Sequence, residues 1–497
     1  MDKYDENLEK LINEFQSLGE EDDTDDFVLK LALKKGRPMK VITIALFALA
    51  LAGLSGLGFV MNLRPEVSEL EKRSLTKFPE FSFETLINGK YFEEISLWYS
   101  DTYPYREELI AAQNTLSGYY GIKGGESITG DIKTADEIPE SYVATETTEA
   151  PEADETTAED VTAPDLETVS VVGGDTTLET SAATPDEELI PASSPYEDDA
   201  VENFGTVYVA GNSAYSMFYF NHDGTNDFIG AVNEFAEHLD GVANVYACVV
   251  PTSTGIMLSK EQQDSFGSSD MKGAIDYIYS GLNEYVNPIK VYDLLMAHRD
   301  EYIYFRTDHH WTSLGAYYAY AEFADVAGFT PVSLDDLRRV DFDGFLGTYY
   351  TQSNMNPALA ATPDTVTAYY PNGVDNLVYY NSDLSAHTWP IIKDMTESSP
   401  YNKYSTFIAG DHAITIVSNP AIEEETSIII FKDSFANPFS VFLMNTYRNV
   451  FIIDNRYIAI DVRTFCQEHN IKDCIIFYAI DSVSSKNATL IRSNIVK

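Results

Sequence analysis

Two short motifs hold most of the residues able to do chemistry. Lys432-Asp433-Ser434-Phe435 directly follows the apolar run Ser427-Ile428-Ile429-Ile430-Phe431 and leads into a helical pattern over Pro438–Tyr447. The run predicts a buried strand, so Ser434 falls on a strand-to-helix turn, where an α/β hydrolase holds its nucleophile. Backbone N–H groups of Ser434 and Phe435 would there stabilise an oxyanion, with the helix dipole adding to the effect. A serine hydroxyl needs a base near neutral pH, and Asp308-His309-His310-Trp311 offers one. In an extended segment residues i and i+2 point to the same side, so Asp308 would face His310 while His309 points away. Ser434, His310 and Asp308 then compose a nucleophile, a base and its orienting carboxylate for acyl transfer.

Other roles are open to the same residues. Asp433 or Ser434 would serve as a helix N-cap, and Asp308, His309 and His310 would make a hydrogen-bonded polar cluster. A metal centre from those three, with His412, needs a convergence that adjacent histidines on an extended chain lack, so no metal or other cofactor is expected. The three cysteines, Cys248, Cys466 and Cys474, lack metal-ligand spacing; a Cys466–Cys474 disulfide is allowed but has no supporting pattern.

The elements that must position these residues follow from periodicity. Strand patterns occur at Thr206–Val209, Val245–Val250, Ile289–Tyr292, Ser427–Phe431, Val450–Ile453 and Cys474–Tyr478. Helical patterns occur at Asp227–Leu239, Met271–Tyr285, Ser313–Ala327, Pro438–Tyr447 and Ile460–His469. This alternation predicts a doubly wound parallel α/β sheet, with ligands bound beyond the carboxyl ends of its strands.

The chain has 497 residues, 79 acidic against 32 basic, for a formal net charge of −47. That balance argues against nucleic-acid binding. Between Lys133 and Lys260 there is no Lys or Arg, and roughly twenty acidic residues fall within 134–202. Residues 134–203, rich in Thr, Glu, Asp and Pro, are expected to be a disordered acidic linker. Residues 41–61 carry no charge and are long enough, as a helix, to cross a ~30 Å hydrocarbon core. Lys30, Lys34, Lys35, Arg37 and Lys40 crowd the N-terminal side, which predicts a cytoplasmic segment 1–40 and an extracytoplasmic remainder. The expected organisation is completed by an extracytoplasmic segment 62–133 and a catalytic domain 204–497.

The stretch Tyr304-Phe305-Arg306-Thr307-Asp308-His309-His310-Trp311-Thr312 resembles the signature of the DHHW protein family. That family is similar to the SGNH-hydrolase-like domains of alginate acetylation proteins and cell-wall polysaccharide O-acetyltransferases. Glu71–Leu75, Phe78-Pro79, Asp101 with Pro104 and Arg106, and Val250–Thr252 fit the same resemblance. So do Gly347-Thr348-Tyr349-Tyr350, Lys432–Phe435 and Asp454-Asn455-Arg456-Tyr457. The resemblance implies an SGNH-like fold and a triad of Asp308, His310 and Ser434. It also implies O-acetyltransferase or acetylesterase activity on a cell-surface polysaccharide, with a membrane-bound O-acyltransferase as the partner supplying acetyl groups. Phe435, Asn212 in Gly211-Asn212-Ser213, Arg306 and Trp311 are the further candidates for oxyanion or substrate contacts, and Trp311 and Tyr349 would suit stacking on sugars. A non-catalytic glycan-binding or envelope scaffold module with the same fold is the alternative.

Overall fold

The computed structural model describes residues 207–495 without a break and parts of the chain between 46 and 142. The expected cytoplasmic segment 1–40 lies outside the described residues, as do most of the span 41–61 and of the acidic stretch 134–203. Among the described residues no helix is long and apolar enough to cross a membrane.

Those residues fall into two compact units. In the first, the helix Lys90–Asp101 carries the buried Trp98. The Arg64 guanidinium lies 3.6 Å from the Trp98 ring centre, and Phe78 meets that ring edge-on at 4.8 Å. Asp101, at the helix end, accepts from the Thr76 N–H and hydroxyl at 2.8 and 2.7 Å.

The second unit is built on an eight-stranded sheet. Its strands are β1 (Asn244–Val250), β2 (Val286–Ile289), β3 (Asn376–Tyr380), β4 (Ala386–Pro390), β5 (Ile414–Ser418), β6 (Ser427–Lys432), β7 (Asn449–Ile453) and β8 (Asp473–Ala479). They lie in the order β4-β3-β5-β7-β6-β8-β1-β2. From β7 to β2 all neighbours are parallel, but β5 runs antiparallel to β7, and β3 and β4 continue antiparallel beyond it. The sheet is therefore mixed, a correction to the wholly parallel expectation. For β3 and β4 the cause is local: only residues 381–385 join them, too few for the crossover a parallel pair requires.

Both faces of the parallel part are covered. Val245, Ala247 and Val249 of β1 face one core, and Tyr246, Cys248 and Val250 the other. The first core is closed by α1 (His222–His238), α2 (Met271–Ser280), α5 (Val462–Glu468) and α6 (Ser485–Arg492), the second by α3 (Ser313–Ala327) and α4 (Ala436–Leu443). Helix α3 has the expected bounds. Thr312 caps its start, and Gly328 ends it in the left-handed region at φ 82°. The strand expected at Ile289–Tyr292 instead ends at Ile289. It is an edge strand, which tolerates Pro288, and Tyr292 begins a short helix. All three cysteines are free and buried.

A smaller three-stranded sheet pairs Ser127–Thr129 with Val207–Ala210, which pairs in turn with Ser213–Ser216. A separate ribbon pairs Arg338–Phe345 with Asp364–Tyr370.

Candidate active site

Strand β6 is buried along its whole length and stops at Lys432. Asp433 then turns the chain. Its Oδ1 accepts from the Phe435 N–H at 3.0 Å, and its Oδ2 accepts from the Ala479 N–H and the Ser482 hydroxyl, both at 2.8 Å. These bonds fix the turn that carries Ser434 to the cavity at the head of α4.

The partner motif is a tight bent loop rather than an extended segment. Tyr304 and Trp311 bridge at its base, and the Phe305 N–H donates to the His310 carbonyl at 3.2 Å. Asp308 and His310 face each other because the Asp308 Oδ1 accepts from the His310 backbone N–H at 3.0 Å, a side-chain turn of the Asx kind. The same oxygen lies 2.6 Å from His310 Nδ1, and His310 Nε2 lies 2.7 Å from Ser434 Oγ. An ionised carboxylate only accepts. Nδ1 therefore carries the proton, and Nε2 is left to accept from the serine hydroxyl. Burial alone would raise the Asp308 carboxyl. The electrostatic pull of the neighbouring His309 and His310 imidazoles and the bonds from His310 and Thr348 outweigh it, holding the group well below the usual carboxylate range.

The supporting residues come from distant loops. The Thr348 N–H and hydroxyl donate to Asp308 Oδ2 at 2.9 and 3.2 Å. Gly347 lets that loop approach: a Cβ there would sit 2.2 Å from both Cβ and Oδ2 of Asp308. Gly347→Ala is thus expected to displace the carboxylate and lower ester turnover about a hundredfold, with cooperative unfolding retained. A wild-type rate in that variant would contradict the assignment. Asp364, fully buried, accepts from the Arg306 and Thr307 N–H groups, the Thr307 hydroxyl and the Tyr302 hydroxyl, and so ties down the loop base. Asp364→Ala strands those donors and should cost about 3 kcal/mol or more of unfolding free energy, readable by denaturant titration. The Tyr404 ring stacks on His310 at 3.8 Å and 14°, and its hydroxyl donates to the Ser434 carbonyl at 2.8 Å.

Several expectations need correction. His309 does not point away. Its ring lies 3.7 Å from that of His310, its Nδ1 is 2.7 Å from the Thr348 hydroxyl, and it lines the same cavity of about 510 Å³ as Ser434. The tight loop makes the two imidazoles converge. Phe435 is no free oxyanion donor, since its N–H is held by Asp433. Asn212 is exposed at a two-residue hairpin turn beside Gly211 (φ 61°) and does not line the cavity; Asn221 does. Arg306 pairs with Asp364 at 3.2 Å. Trp311 is wholly buried, its indole N–H donating to the Phe435 carbonyl at 2.8 Å. Tyr349 is equally buried and donates to the Ser216 hydroxyl at 2.9 Å. Neither ring can stack on a sugar; Tyr219 is the half-buried aromatic of the cavity wall. His412 stacks on Tyr379 at 3.7 Å, away from Asp308, and burial brings it down to about 4.

A family model described as DHHW protein matches residues 71–453. The chain belongs to the DHHW family. A DHHW family protein from Eubacterium siraeum is 29% identical with a TM-score of 0.54, covering 60% of this chain and 98% of that one. PatB1 of Bacillus cereus, solved with a sulfonyl adduct, is 17% identical with a TM-score of 0.49, covering 57% and 97%. The O-acetyltransferase domain of Pseudomonas putida AlgJ is 12% identical with a TM-score of 0.31, covering 55% and 89%. No curated protein matches the chain.

Beside the triad, this DHHW chain buries an ion network. The Lys432 ammonium, 1% exposed, donates to Asp411 and, at 2.7 Å, to Asn437. Arg456 bridges Asp411 at 3.1 Å and Asp454 at 2.7 Å. Lys432 and the Asp454–Tyr457 motif thus hold the end of β6 in place.

Proposed function

We propose that the protein is a serine-dependent acyl-transfer enzyme, an O-acetyltransferase or acetylesterase of the SGNH-like kind, acting on a cell-surface polysaccharide. One observation carries this reading: the unbroken hydrogen-bonded line from Ser434 through His310 to Asp308, at 2.7 and 2.6 Å, opening on a cavity. Ser434 Oγ attacks the ester carbonyl as its proton passes to His310 Nε2. Asp308 stabilises the resulting imidazolium, and the Tyr404 face stacked on it adds a cation–π contribution. The carbonyl then re-forms as the bond from the acyl carbon to the alcohol oxygen breaks, and His310 gives the proton to the departing alcohol. Water or a sugar hydroxyl repeats the sequence in reverse on the acyl-serine, giving hydrolysis or transfer. The Ser434 N–H, which has no acceptor among the described residues, is the available backbone donor for the oxyanion.

The apolar, charge-free residues 41–61 and the lysines before them support anchoring in a membrane with the site outside. A membrane-bound acyltransferase would then be the source of acetyl groups. The test is covalent. A sulfonyl fluoride added to the full-length protein should give one adduct by intact mass, mapped to Ser434, and His310→Ala should slow its formation. No adduct, or one on another residue, defeats the enzymatic reading and leaves a glycan-binding cavity.

A further inference from the structure

The walls of the Ser434 cavity carry an unbalanced charge. Asp136, Asp433 and Asp481 line it, and among the described residues no Lys or Arg does. Asp136 and Asp481 are exposed to solvent, and Asp433 is buried with both oxygens engaged by the turn it holds. Helix N-termini are the usual backbone sites for anions. Two lie at this cavity, and each is already occupied by the chain's own acceptors. At the head of α1 the His222 N–H donates to Asp136 Oδ2 at 2.9 Å, and the Gly224 N–H to Asn221 Oδ1 at 2.6 Å. At the head of α4 the Phe435 N–H donates to Asp433.

Apart from the Ser434 N–H that serves the oxyanion, an anionic substrate therefore meets no cation among the described residues, finds the Phe435, His222 and Gly224 N–H groups already taken, and approaches a chain of net charge −47. An amine-bearing one meets two exposed carboxylates beside the apolar wall of Met217, Phe218 and Phe220 and the half-buried Tyr219 ring. We infer that the cavity selects a glycan carrying protonated amines, accepts a neutral one less well, and rejects a polyuronate. This rests on the acyl-transfer reading for the chemistry, but the charge selection is a separate property of the walls.

The test uses full-length protein and three phenyl acetates bearing a para trimethylammoniomethyl, carboxamide or carboxylate group, each rate divided by that ester's hydroxide-catalysed rate. Ser434-dependent kcat/KM should fall in that order. The extremes should differ by roughly tenfold, as expected for two solvent-screened carboxylates near the charge. The spread should shrink at high salt and in the Asp136→Asn, Asp481→Asn double variant, where asparagine can still cap α1. A carboxylate ester as fast as the carboxamide overturns the inference, as does an ammonium ester no faster than it or a spread unchanged in the double variant. If the carboxamide ester shows no Ser434-dependent turnover, the acyl-transfer reading fails instead. Charge selection is then judged by calorimetric binding of glucosamine, glucose and galacturonate tetrasaccharides to Ser434→Ala. A uronate oligomer binding as tightly as the glucose oligomer overturns it; the order amine, neutral, uronate upholds it.

Discussion

Replacing Ser434 with alanine is expected to lower hydrolysis of a neutral aryl acetate at least about a thousandfold, with His310→Ala close behind. Members of a triad act as one unit, so the double variant should be little worse than either single one. Asp308→Asn is the more informative partner. An amide in place of the carboxylate can offer its NH2 to His310 Nδ1, and the imidazole then takes the wrong tautomer for a base. Its loss should approach that of His310→Ala, and an NH2 at the Oδ1 position also costs the His310 backbone N–H its acceptor. Asp308 Oδ1 already holds the backbone and ring of His310, and Oδ2 is held by Thr348. Wild-type turnover no faster than all three variants would remove the triad from consideration.

The second large effect is on stability. Lys432→Met should cost about 3 kcal/mol or more, because it removes one partner of a buried ion pair and leaves Asp411 behind. Arg456 and Asn437 still reach Asp411, which places the cost toward the lower end of such losses. Lys432→Met combined with Asp411→Asn should be less damaging than the sum of the single changes, since the two residues share one network. Burial by itself would raise the Asp411 carboxyl, but Lys432 and Arg456 hold it well below its ordinary value of 3.8. Its contribution is thus complete above that value and is lost as the pH falls below it. Chemical denaturation at neutral and at acidic pH reads both statements; a Lys432→Met protein as stable as wild type at neutral pH would contradict them.

The parallel half of the sheet was legible because buried strands are short apolar runs: β1, β6, β7 and β8 lie where such runs predict them. Strands β3 and β4 are only half-covered and mix polar with aromatic residues. Their membership depends on a hairpin and on pairing with β5, which periodicity does not record. Strand β5 lies between Gly410-Asp411-His412 and Asn419-Pro420, preceded only by the short 3-10 helix Lys403–Thr406 and followed by β6 with no helix between, so strand–helix alternation does not announce it.

At the site, Asp308, His310 and Ser434 were legible from residue type and turn position, although the physical reason differs. A side-chain turn, not an extended backbone, brings Asp308 to His310. His309 was misread for the same cause, since a one-residue alternation rule fails inside a bend. Tyr404 carries no local signal; it reaches His310 only through tertiary packing. Gly347-Thr348 could be noticed as a motif, but its purpose is visible only once a Cβ is placed against Asp308.

Thr129 pairs with Val207 and Ser127 with Val209 across adjacent strands of the small sheet. The strands before and after the acidic stretch therefore belong to one sheet, and that stretch is a detour within one domain rather than a tether between bodies. Closing such a detour costs only about 0.6 kcal/mol more for each doubling of its length. The length of the part beyond Tyr142 is thus nearly decoupled from the stability of the sheet, whereas Asp136, near the start of the stretch, is tied to the head of α1 by the His222 N–H and is not free to change.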